Sequence, residues 1–440
     1  MFRWTKICLT NGVIITALMI SFSLNHVVNA DISDLPVNIH LTWQQSNMSY
    51  GVTVTWQTTY SNSGSIVLYD TISQNGFSVL YRYSASGTVH TYVGASGYIH
   101  DVQLLGLGQN STYYFVCGGD GGFSEERSFR TAPMESSNLR FVVGGDSRTY
   151  WMVRDEISRV MSTFDPNFAM LSGDLVASGA DQTQWDSFFE SMHQRWIGTN
   201  NLTIPIIPCL GNHEDNAINY YEQFALPGNE QWFSLNWGEQ VHITVLNSET
   251  DPLGEQLAWL ENDLASHQNY TWKFVMFHRP PFSAGNHGSW IQGREAWCPL
   301  FDKYHVDIVF SGHDHNYERS KPINYSASKI SPQKSYSLGT MYVVTGGWGA
   351  PLYEAGSDWW TDNSLSKYHF IVIDIFTNGT LRLQAKDITG ITFDEVPQKT
   401  PVIPESFNLP ILSLIFTVAL LVIVVSRVLV RTPRKGIFVR

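Results

Sequence analysis

The sequence predicts a multidomain α+β/α/β protein, with an all-β sandwich, a following α/β domain and a C-terminal transmembrane helix. Three observations support this fold class. Residues 31–133 contain short runs of alternating apolar and polar residues, residues 138–396 alternate apolar runs with helix-like stretches, and residues 406–426 carry no charge. Alternation with a period of two is typical of half-buried strands, and interspersed helices favour a sheet flanked by helices.

The composition supports folded domains and argues against nucleic acid as a partner. Hydrophobic residues make up 43% of the 440 residues and aromatic residues 13%, which is enough for sizeable cores. The formal net charge is −12, whereas a groove that follows a phosphate backbone needs clustered Lys and Arg. We therefore expect no binding to a nucleic-acid backbone.

The first 30 residues resemble a secretory signal peptide. Two basic residues, Arg3 and Lys6, precede an apolar stretch over residues 12–24, and Ala30 closes a small-residue cleavage site. This order of basic, apolar and small residues is typical of a signal that is removed on export. The sequence predicts a cleaved signal over residues 1–30, with an uncleaved anchor as the alternative.

Clusters of Gly, Ser and Asn divide the all-β segment, residues 31–133, into strands. Its candidate strands cover residues 39–43, 51–56, 65–69, 112–117 and 127–130. Several short strands over about 100 residues favour a small sandwich. The segment has no cluster of Asp, His and Cys, so we expect a structural or docking module.

The α/β segment, residues 138–396, has short apolar runs that predict buried strands. They cover residues 140–143, 168–171, 204–207, 273–277, 306–310 and 341–344, and helix-like stretches lie at residues 154–164, 184–196 and 254–266. Functional groups in such folds gather beyond the carboxyl ends of the strands. Any site is therefore expected in the loops that follow these runs.

A linker, a membrane span and a basic tail are predicted next. Residues 397–405 contain three prolines, residues 406–426 are rich in Leu, Ile and Val, and residues 427–440 contain five Lys or Arg and no acid. The apolar segment is long enough to cross ~30 Å of hydrocarbon, and basic residues favour the cytoplasmic side. This predicts an exported, single-pass cell-membrane protein with its ectodomain outside the cell. A buried core helix is the alternative, and the segment also resembles the sorting tails of some prokaryotic surface proteins.

Cysteine usage does not indicate a disulfide framework. Once the signal is removed, Cys117, Cys209 and Cys298 remain. An odd number leaves at least one thiol unpaired, although one pair could form outside the cell.

Five short segments, each ending an apolar run, hold the residues that carry chemistry. They are residues 145–148 (Gly-Asp-Ser-Arg), 173–175 (Gly-Asp-Leu), 211–214 (Gly-Asn-His-Glu), 275–278 (Val-Met-Phe-His) and 312–315 (Gly-His-Asp-His). Gly-Asp at a strand end is by itself a common turn or helix cap, and a lone histidine is more often a core residue. All five in order favour one site assembled from separate strand ends.

Carboxylate, amide and imidazole groups in these segments predict a site for two metal ions. Such ions need hard or borderline donors, and one carboxylate must bridge them because they sit only ~3.5–4 Å apart. Asp174 is the candidate bridge, with Asp146 on the first metal and Asn212 and His278 on the second.

The two histidines of the last segment complete the predicted ligand set. His313 and His315 are two residues apart, so an extended backbone directs both side chains the same way. They can serve one metal each. A site of this kind points to phosphoester hydrolysis.

In these motifs the chain resembles the calcineurin-like metallophosphoesterases, and within them the purple acid phosphatase branch. The resemblance spans roughly residues 35–395 and is carried by residues 56–58 (Trp-Gln-Thr), 99–102 (Ile-His-Asp-Val), 104–107 (Leu-Leu-Gly-Leu), 128–131 (Ser-Phe-Arg-Thr), 278–282 (His-Arg-Pro-Pro-Phe), 306–309 (Val-Asp-Ile-Val) and 312–319 (Gly-His-Asp-His-Asn-Tyr-Glu-Arg). It implies a fibronectin III-like sandwich over residues 31–133 and a four-layer αββα catalytic domain over residues 138–396. The ligand roles given above are those that the resemblance also implies.

Two departures from the family pattern concern the first metal. The purple enzymes place a tyrosine three residues after the bridging aspartate, where this chain has Ala177, so the protein should not be purple. Other metallophosphoesterases place a histidine two residues after the first aspartate, where this chain has Arg148. The first metal then keeps Asp146, Asp174 and His315. Tight retention of Fe(III) is not expected, and Mn, Zn, Fe(II) or a mixed pair are the expected ions.

The expected reaction follows from electrostatics. The metals would lower the pKa of a bound water, from about 15.7 towards ~7 in the best-known zinc case, and the metal-bound hydroxide would attack phosphorus in line. Asp174 and His213 are the expected catalytic residues. His213 would assist the leaving alkoxide, with Glu214 orienting it, and the resemblance also puts His213 near the leaving group.

Four residues are expected to contact the substrate. They are Arg148, Asn212, His213 and His287. A guanidinium fork matches phosphate oxygens, so Arg148 is a phosphate contact, with a salt bridge as the alternative. The alternative for His287 is a surface loop position. Trp348, Trp359 and Trp360 either line a pocket mouth or pack in the core.

The leading hypothesis is a cell-surface dimetal phosphoester hydrolase with acid phosphatase-like action on small monoesters. Phosphodiesters or nucleotides are the next candidate substrates. A non-catalytic surface binding protein on a degraded enzyme scaffold is the competing function, and Ala177 and Arg148 motivate it.

Overall fold

The computed structural model describes residues 34–61, 64–325, 331–332 and 339–400. The predicted signal, membrane span and basic tail lie outside the described residues, as does most of the predicted linker. Among the helices of the described ranges, none has the length and apolar character that crossing a bilayer requires.

Within residues 34–61 and 64–130, the first part of the chain forms nine strands. They are β1 (Val37–Thr42), β2 (Gly51–Thr58), β3 (Ile66–Asp70), β4 (Tyr83–Ser86), β5 (Thr88–His90), β6 (Tyr98–Leu105), β7 (Thr112–Gly119), β8 (Gly122–Phe123) and β9 (Arg127–Arg130). One sheet has the order β1-β2-β6-β5, and the other has the order β4-β3-β7-β8 with β9 also paired to β7. Trp56 and Phe115, from different sheets, are both fully buried. The all-β segment is therefore a small two-sheet sandwich.

The second part alternates strands and helices. Its helices are α1 (Trp151–Ser162), α2 (Gln182–Arg195), α3 (Ile218–Gln223), α4 (Glu255–Ser266) and α5 (Ile291–Lys303). Its strands are β10 (Leu139–Gly144), β11 (Phe168–Leu171), β12 (Ile206–Pro208), β13 (Phe233–Trp237), β14 (Val241–Val245), β15 (Trp272–Met276), β16 (Ile308–Ser311), β17 (Tyr317–Ser320), β18 (Ile323–Asn324), β19 (Ser331–Pro332), β20 (Met341–Thr345), β21 (Thr361–Leu365), β22 (His369–Ile375), β23 (Leu381–Asp387) and β24 (Thr392–Lys399). The apolar runs predicted as strands form β10, β11, β12, β15, β16 and β20, and the three helix-like stretches form α1, α2 and α4.

Two large sheets organise this second part. The first has the order β12-β11-β10-β22-β23-β24 and the second has the order β13-β14-β15-β16-β20-β17-β21. Strands β10, β11 and β12 run parallel, and so do β14, β15, β16 and β20. The carboxyl ends of the parallel strands in each sheet consequently open on a common edge.

The sheets pack face to face, with helices outside. Phe141 of β10 contacts Phe274 of β15, with ring centroids 5.2 Å apart. On the outer face of the second sheet, Leu264 of α4 and Phe301 of α5 share a buried cluster with Phe277. Helices α1 and α2 contact each other, and α1 contacts β22 of the first sheet. The layers therefore follow the order helix, sheet, sheet, helix.

The sandwich and the second part share one continuous buried core. Strand β1 lies against α2, and the His40 ring stacks on Phe189 of α2 at 4.6 Å. Thr42 Oγ1 donates to the carbonyl oxygen of Ala225 (2.7 Å). Cys117, Cys209 and Cys298 are buried free thiols, so packing and not a disulfide holds the described parts together.

Candidate metal centre

Polar residues from five strand ends meet where the two sheets come together. They are Asp146 after β10, Asp174 after β11, Asn212 and His213 after β12, His278 after β15, and His313 and His315 after β16. Asp146, Asp174 and His278 are buried and can offer one ligand atom each within 4.8 Å of one another. Parallel strand ends thus assemble residues that are far apart in the sequence.

One group of donors, the second donor set, consists of Asp174, Asn212, His278 and His313. His278 Nε2 lies 3.3 Å from Asp174 Oδ1, 3.1 Å from Asn212 Oδ1 and 3.2 Å from His313 Nδ1. His278 Nδ1 donates to the carbonyl oxygen of Ser172 (2.9 Å), which leaves Nε2 to face the other three donors. Imidazole, amide and carboxylate groups around one point fit a divalent transition metal or zinc.

The remaining predicted ligands, the first donor set, are Asp146, His315 and the second oxygen of Asp174. His315 Nε2 lies 3.3 Å from Asp146 Oδ1, and His315 Nδ1 donates to the carbonyl oxygen of Pro351 (2.7 Å). Arg148 enters this set. Its Nη2 lies 3.1 Å from His315 Nε2 and its Nε 3.4 Å from Asp174 Oδ2. A guanidinium group therefore contacts two of the three residues of the first set, whereas the second set offers four donors to a common point.

The backbone at the site is strained. Asp146, Asp174 and His313 have positive φ values of 59°, 53° and 71°, a region that residues other than glycine seldom occupy. Gly312 passes so close to the Asp146 carboxylate that a Cβ there would collide with it. Backbone strain of this kind persists only where the surrounding packing holds the residue in its conformation, and strained residues are concentrated at functional sites.

Charge is concentrated in the second donor set. Burial would lower the pKa of His278, but the Asp174 carboxylate outweighs it and raises that pKa to about 10. Burial and the neighbouring His278 lower the pKa of His313 to about 2. Burial would raise the pKa of Asp174, yet the charge on His278 brings it below the usual range. Because a histidine ligand must be neutral, a metal cation that binds here would displace the proton of His278.

His213 lies at the opening of the site, but Glu214 does not orient it. His213 Nδ1 donates to the carbonyl oxygen of Ala177 (2.8 Å), and Nε2 lies 3.8 Å from Asp174 Oδ2. The Glu214 carboxylate instead accepts hydrogen bonds from the backbone N–H groups of Asp174 (2.9 Å), Leu175 (2.8 Å) and Gly211 (2.7 Å). The prediction for Glu214 was wrong because four backbone donors, including the N–H of Val176 (3.4 Å), converge on its carboxylate. Burial, followed by the charge on Asp174, raises the pKa of Glu214 to about 7.

His287 lies beside the second donor set and not on a remote loop. Its ring centroid is 4.3 Å from that of His313, and its backbone N–H donates to Asp314 Oδ1 (2.8 Å). The residue therefore borders the space in front of His313.

A cavity of about 340 Å³ adjoins the first donor set. Its lining includes Arg148, Trp151, Arg154 and Ala177, so the small Ala177 side chain leaves this space open. Arg154 is only 5% exposed, and its Nε has no hydrogen-bond partner within the described residues. Two guanidinium groups in one wall favour a small anionic occupant.

The three tryptophans of the Gly-rich stretch serve packing. Trp348 is fully buried with its Nε1 directed at the carbonyl oxygen of Arg154 (3.3 Å), and Trp360 Nε1 donates to Glu318 Oε1 (2.9 Å). Trp359 meets Phe282 edge to face. The pocket-mouth alternative is therefore not supported for them.

Two residues at the site were not singled out from the sequence. Arg279 Nη1 lies 3.4 Å from His313 Nε2, and its Nη2 pairs with Glu249 Oε2 (2.7 Å). Tyr353 stacks on His315 at 4.1 Å. Arg279 directly follows a predicted ligand and could have been found by that position, whereas nothing in the sequence around Tyr353 marked it.

A second cluster of metal-ligand residue types lies away from the strand ends of the site. It contains His242, Asp263 and His267. His242 Nε2 lies 2.9 Å from Asp263 Oδ2, and Ser234 and Thr244 donate to the same carboxylate. Because these polar groups pair with one another, we interpret the cluster as a structural hydrogen-bond network.

Comparison with family models matches both parts of the chain. Residues 36–131 match the family described as purple acid phosphatase, N-terminal domain, and residues 139–317 match the family described as calcineurin-like phosphoesterase. Probable purple acid phosphatase 20 of Arabidopsis thaliana is 32% identical over 295 residues, which cover 61% of this chain and 66% of that protein. Purple acid phosphatase 21 of the same plant is 32% identical over 278 residues, which cover 58% of this chain and 59% of that protein. The match thus spans less than two thirds of these relatives' own length.

Solved structures share the fold. Purple acid phosphatase PPD1 from yellow lupin (Lupinus luteus) seeds superimposes with a TM-score of 0.71 at 22% identity, over 82% of this chain and 74% of that one. The structure of PhoD superimposes with a TM-score of 0.60 at 11% identity, over 84% of this chain and 95% of that one. At these identities the likeness shows a common fold.

Proposed function

We infer that the chain is a metallophosphoesterase that joins a purple acid phosphatase N-terminal domain to a calcineurin-like phosphoesterase domain, and we propose that it is a metal-dependent phosphoester hydrolase. We propose acid phosphatase-like action on small phosphomonoesters as its reaction. The named Arabidopsis relatives agree with this proposal.

One observation carries the proposal. The Nε2 atom of His278 faces Asp174, Asn212 and His313 at 3.1–3.3 Å, and its other nitrogen is held by the Ser172 carbonyl. This is the arrangement of a metal ligand whose second nitrogen is fixed by a hydrogen bond. A structural histidine would not require three further ligand-type groups around the same atom.

The protein groups around the donors have separate tasks in the proposed reaction. A bound divalent cation supplies Lewis-acid polarisation of the phosphoryl group. Arg148, with its side chain 14% exposed beside Asp174, can bind phosphoryl oxygens through parallel N–H groups. Asn212 presents its amide next to His278 and can donate to the same phosphoryl group. His213, 31% exposed and at the opening of the site, can pass a proton to the leaving alkoxide.

The cavity beside Arg148 supports a small monoester as substrate. Its volume of about 340 Å³ accommodates a small organic phosphate. A monoester carries up to two negative charges, and Arg148 and Arg154 both line the cavity. Because a diester carries only one, the paired guanidinium groups favour monoesters.

Hydrolysis of two chromogenic esters tests the proposal. The full chain, supplied in turn with Mn, Zn and Fe(II), should hydrolyse p-nitrophenyl phosphate faster than bis-p-nitrophenyl phosphate. His278→Ala should reduce turnover to background because it removes the donor around which the second set is built. The matched control is His305→Ala, which removes a histidine just before the opposite end of β16 and should retain activity.

The competing function is a binding protein that has lost catalysis. Ala177 and Arg148 support it because both alter the first donor set. This alternative predicts that phosphate binds but that neither chromogenic ester nor a panel of alkyl and nucleoside phosphates is hydrolysed with any of the three metals. That result would replace the hydrolase proposal.

We also propose that the chain acts at the cell surface. The apolar, uncharged residues 406–426 followed by five basic residues support anchoring. Alkaline carbonate extraction of membranes should leave the chain in the pellet, and protease added outside intact cells should cleave it. Release into the carbonate supernatant would contradict the anchor.

A further inference from the structure

Both departures of this chain from its family pattern concern one donor set. Ala177 replaces the tyrosine ligand of the purple enzymes, and Arg148 stands where other metallophosphoesterases have a histidine ligand. Both affect the first donor set, and the second set retains all four expected donors. Two changes at one metal position, with the neighbouring position intact, indicate a specific alteration of the first position.

The Arg148 guanidinium lies among the groups that would hold the first metal. Its Nη2 is 3.1 Å from His315 Nε2 and its Nε is 3.4 Å from Asp174 Oδ2. His315 Nδ1 is committed to the Pro351 carbonyl, so Nε2 carries the lone pair that either a metal or an N–H donor can use. Arg148 takes the lone pair that the first metal would need.

The two oxygens of Asp174 face different groups. Oδ1 accepts from the backbone N–H of His213 (2.9 Å) and lies 3.3 Å from His278. Oδ2 faces Arg148. The carboxylate expected to bridge two metals is therefore oriented with a guanidinium on one side and the second donor set on the other.

No further donor is available at position 177. The alanine side chain cannot ligate, and the Ala177 carbonyl oxygen accepts the Nδ1–H of His213 (2.8 Å). The first set is left with Asp146, His315 and one oxygen of Asp174. A guanidinium remains protonated at any accessible pH, so a divalent cation placed there would be repelled at close range.

We propose that the resident centre is mononuclear: one divalent metal on Asp174, Asn212, His278 and His313, with the Arg148 guanidinium as a fixed cation in the first position. Asp174 and His315 then hold Arg148 in place. Its outward N–H groups contact the phosphoryl oxygens that the first metal contacts in a dinuclear enzyme. The substrate contact rests on the proposed function, whereas the metal count does not.

Metal stoichiometry tests the proposal without reference to activity. The full chain, stripped of metal and dialysed against micromolar Mn(II), should retain one Mn per chain by elemental analysis and give an isolated six-line Mn(II) electron paramagnetic resonance spectrum. Arg148→His restores a ligand and removes the cation, so it should retain two Mn per chain with an exchange-broadened spectrum. Arg140→Gln, at an arginine paired with Asp374 in the first sheet, is the matched control and should retain one.

Two outcomes would overturn the mononuclear centre. One is two tightly held Mn ions or a spin-coupled spectrum in the unmodified chain. The other is a count that stays at one in Arg148→His when that variant unfolds at the same temperature as the unmodified chain. If Arg148→His does not fold, the metal count of Arg148→Gln is the test, because glutamine removes the positive charge and has a similar size. A count that stays at one in a folded Arg148→Gln would again overturn the mononuclear centre.

Binding of inorganic phosphate separates this inference from the proposed function. With one Mn bound, Arg148→Lys should retain the metal count but weaken phosphate binding by about tenfold, since lysine keeps the charge and loses the bidentate fork. Unchanged phosphate affinity would overturn the substrate contact of Arg148. One Mn per chain without hydrolysis would reject the proposed hydrolase and leave the mononuclear centre intact. Two Mn per chain with hydrolysis would reject the mononuclear centre and leave the proposed hydrolase intact.

Discussion

At the scale of single residues, the tautomer of His213 determines what it can do. Its Nδ1–H is committed to the carbonyl oxygen of Ala177 (2.8 Å). In the neutral ring Nε2 then carries no proton. Only the protonated ring can donate from Nε2, which lies near Asp174 Oδ2 at the opening of the site. His213 is therefore suited to act as a general acid towards a leaving group.

We expect His213→Asn to affect poor leaving groups most. The kcat for an alkyl phosphate should fall by about 10²-fold or more, within the usual range for a lost general acid. The kcat for p-nitrophenyl phosphate should fall by less, because nitrophenolate leaves without a proton. Steady-state kinetics on both substrates give the comparison. An equal loss on both would assign His213 to binding and not to proton transfer.

The sequence was most informative about residues whose partners are also in motifs. Asp146, Asp174, His278 and His315 could be singled out because each follows an apolar run, and the structure brings them together. The environment of Arg148 could not be deduced, because its contacts with Asp174 and His315 depend on side-chain directions from three strand ends. Sequence position therefore put Arg148 near the first metal, as a phosphate contact or in a salt bridge, but it did not show which donors the guanidinium contacts.

At the scale of elements, the loops after β11 and β12 are joined by one carboxylate. Glu214 Oε2 accepts the backbone N–H groups of Asp174 and Gly211, and Oε1 accepts that of Leu175. The side chain is completely buried. Glu214 therefore fixes the backbone from which Asp174 and Asn212 extend, which is a positioning role.

We expect Glu214→Gln to destabilise the fold by about 1–3 kcal/mol, the usual cost of leaving a buried donor unsatisfied. The amide nitrogen cannot accept the N–H groups that one carboxylate oxygen now accepts. Urea unfolding at pH 8, above the pKa of about 7, measures this with the carboxylate charged. The exposed Glu239→Gln is the control and should change stability by less than about 0.5 kcal/mol. Equal stability of the two variants would refute the loop-joining role.

Elements with a clear hydrophobic pattern could be predicted, and others could not. Strand β11 occupies residues 168–171 as the apolar run predicts. Helix α5 was not predicted, because Gly293 and Pro299 interrupt its pattern and its stability comes from packing of Trp297 and Phe301 against the second sheet. The antiparallel meander β22–β24 was also missed, since its pairing with β10 joins segments more than 200 residues apart and leaves no local signal.

At the scale of the whole molecule, the sandwich is part of the core that supports the site. Strand β1 packs on α2, and His40 lies between them with its ring on Phe189. His40 Nδ1 faces the carbonyl oxygen of Asn38 (2.8 Å) and Nε2 faces that of Gln223 (2.9 Å). Burial outweighs both backbone contacts and lowers the pKa of His40 to about 4. The contact between the two parts therefore contains a histidine that is neutral at pH 7.

This interface should weaken in acid. A folded-state pKa below the unfolded value of 6.5 means that the unfolded chain binds more protons, so stability is present above pH 6.5 and is lost as the pH falls towards 4. Between pH 7 and pH 5 the loss from His40 amounts to about 2 kcal/mol. In His40→Gln, the new side chain keeps an N–H donor for the carbonyl oxygen of Gln223 and does not titrate. In this variant, the difference in urea-unfolding free energy between pH 7 and pH 5 should be smaller by about 2 kcal/mol than in the unmodified chain.

His267 supplies a control of opposite sign. Hydrogen bonding to Asp263 raises the pKa of His267, so its contribution is present below the unfolded pKa and is lost as the pH rises. His267→Gln should therefore enlarge the stability difference between pH 7 and pH 5, whereas His40→Gln should reduce it. If both variants changed the difference in the same direction, the protonation of His40 would not control the contact between the sandwich and α2.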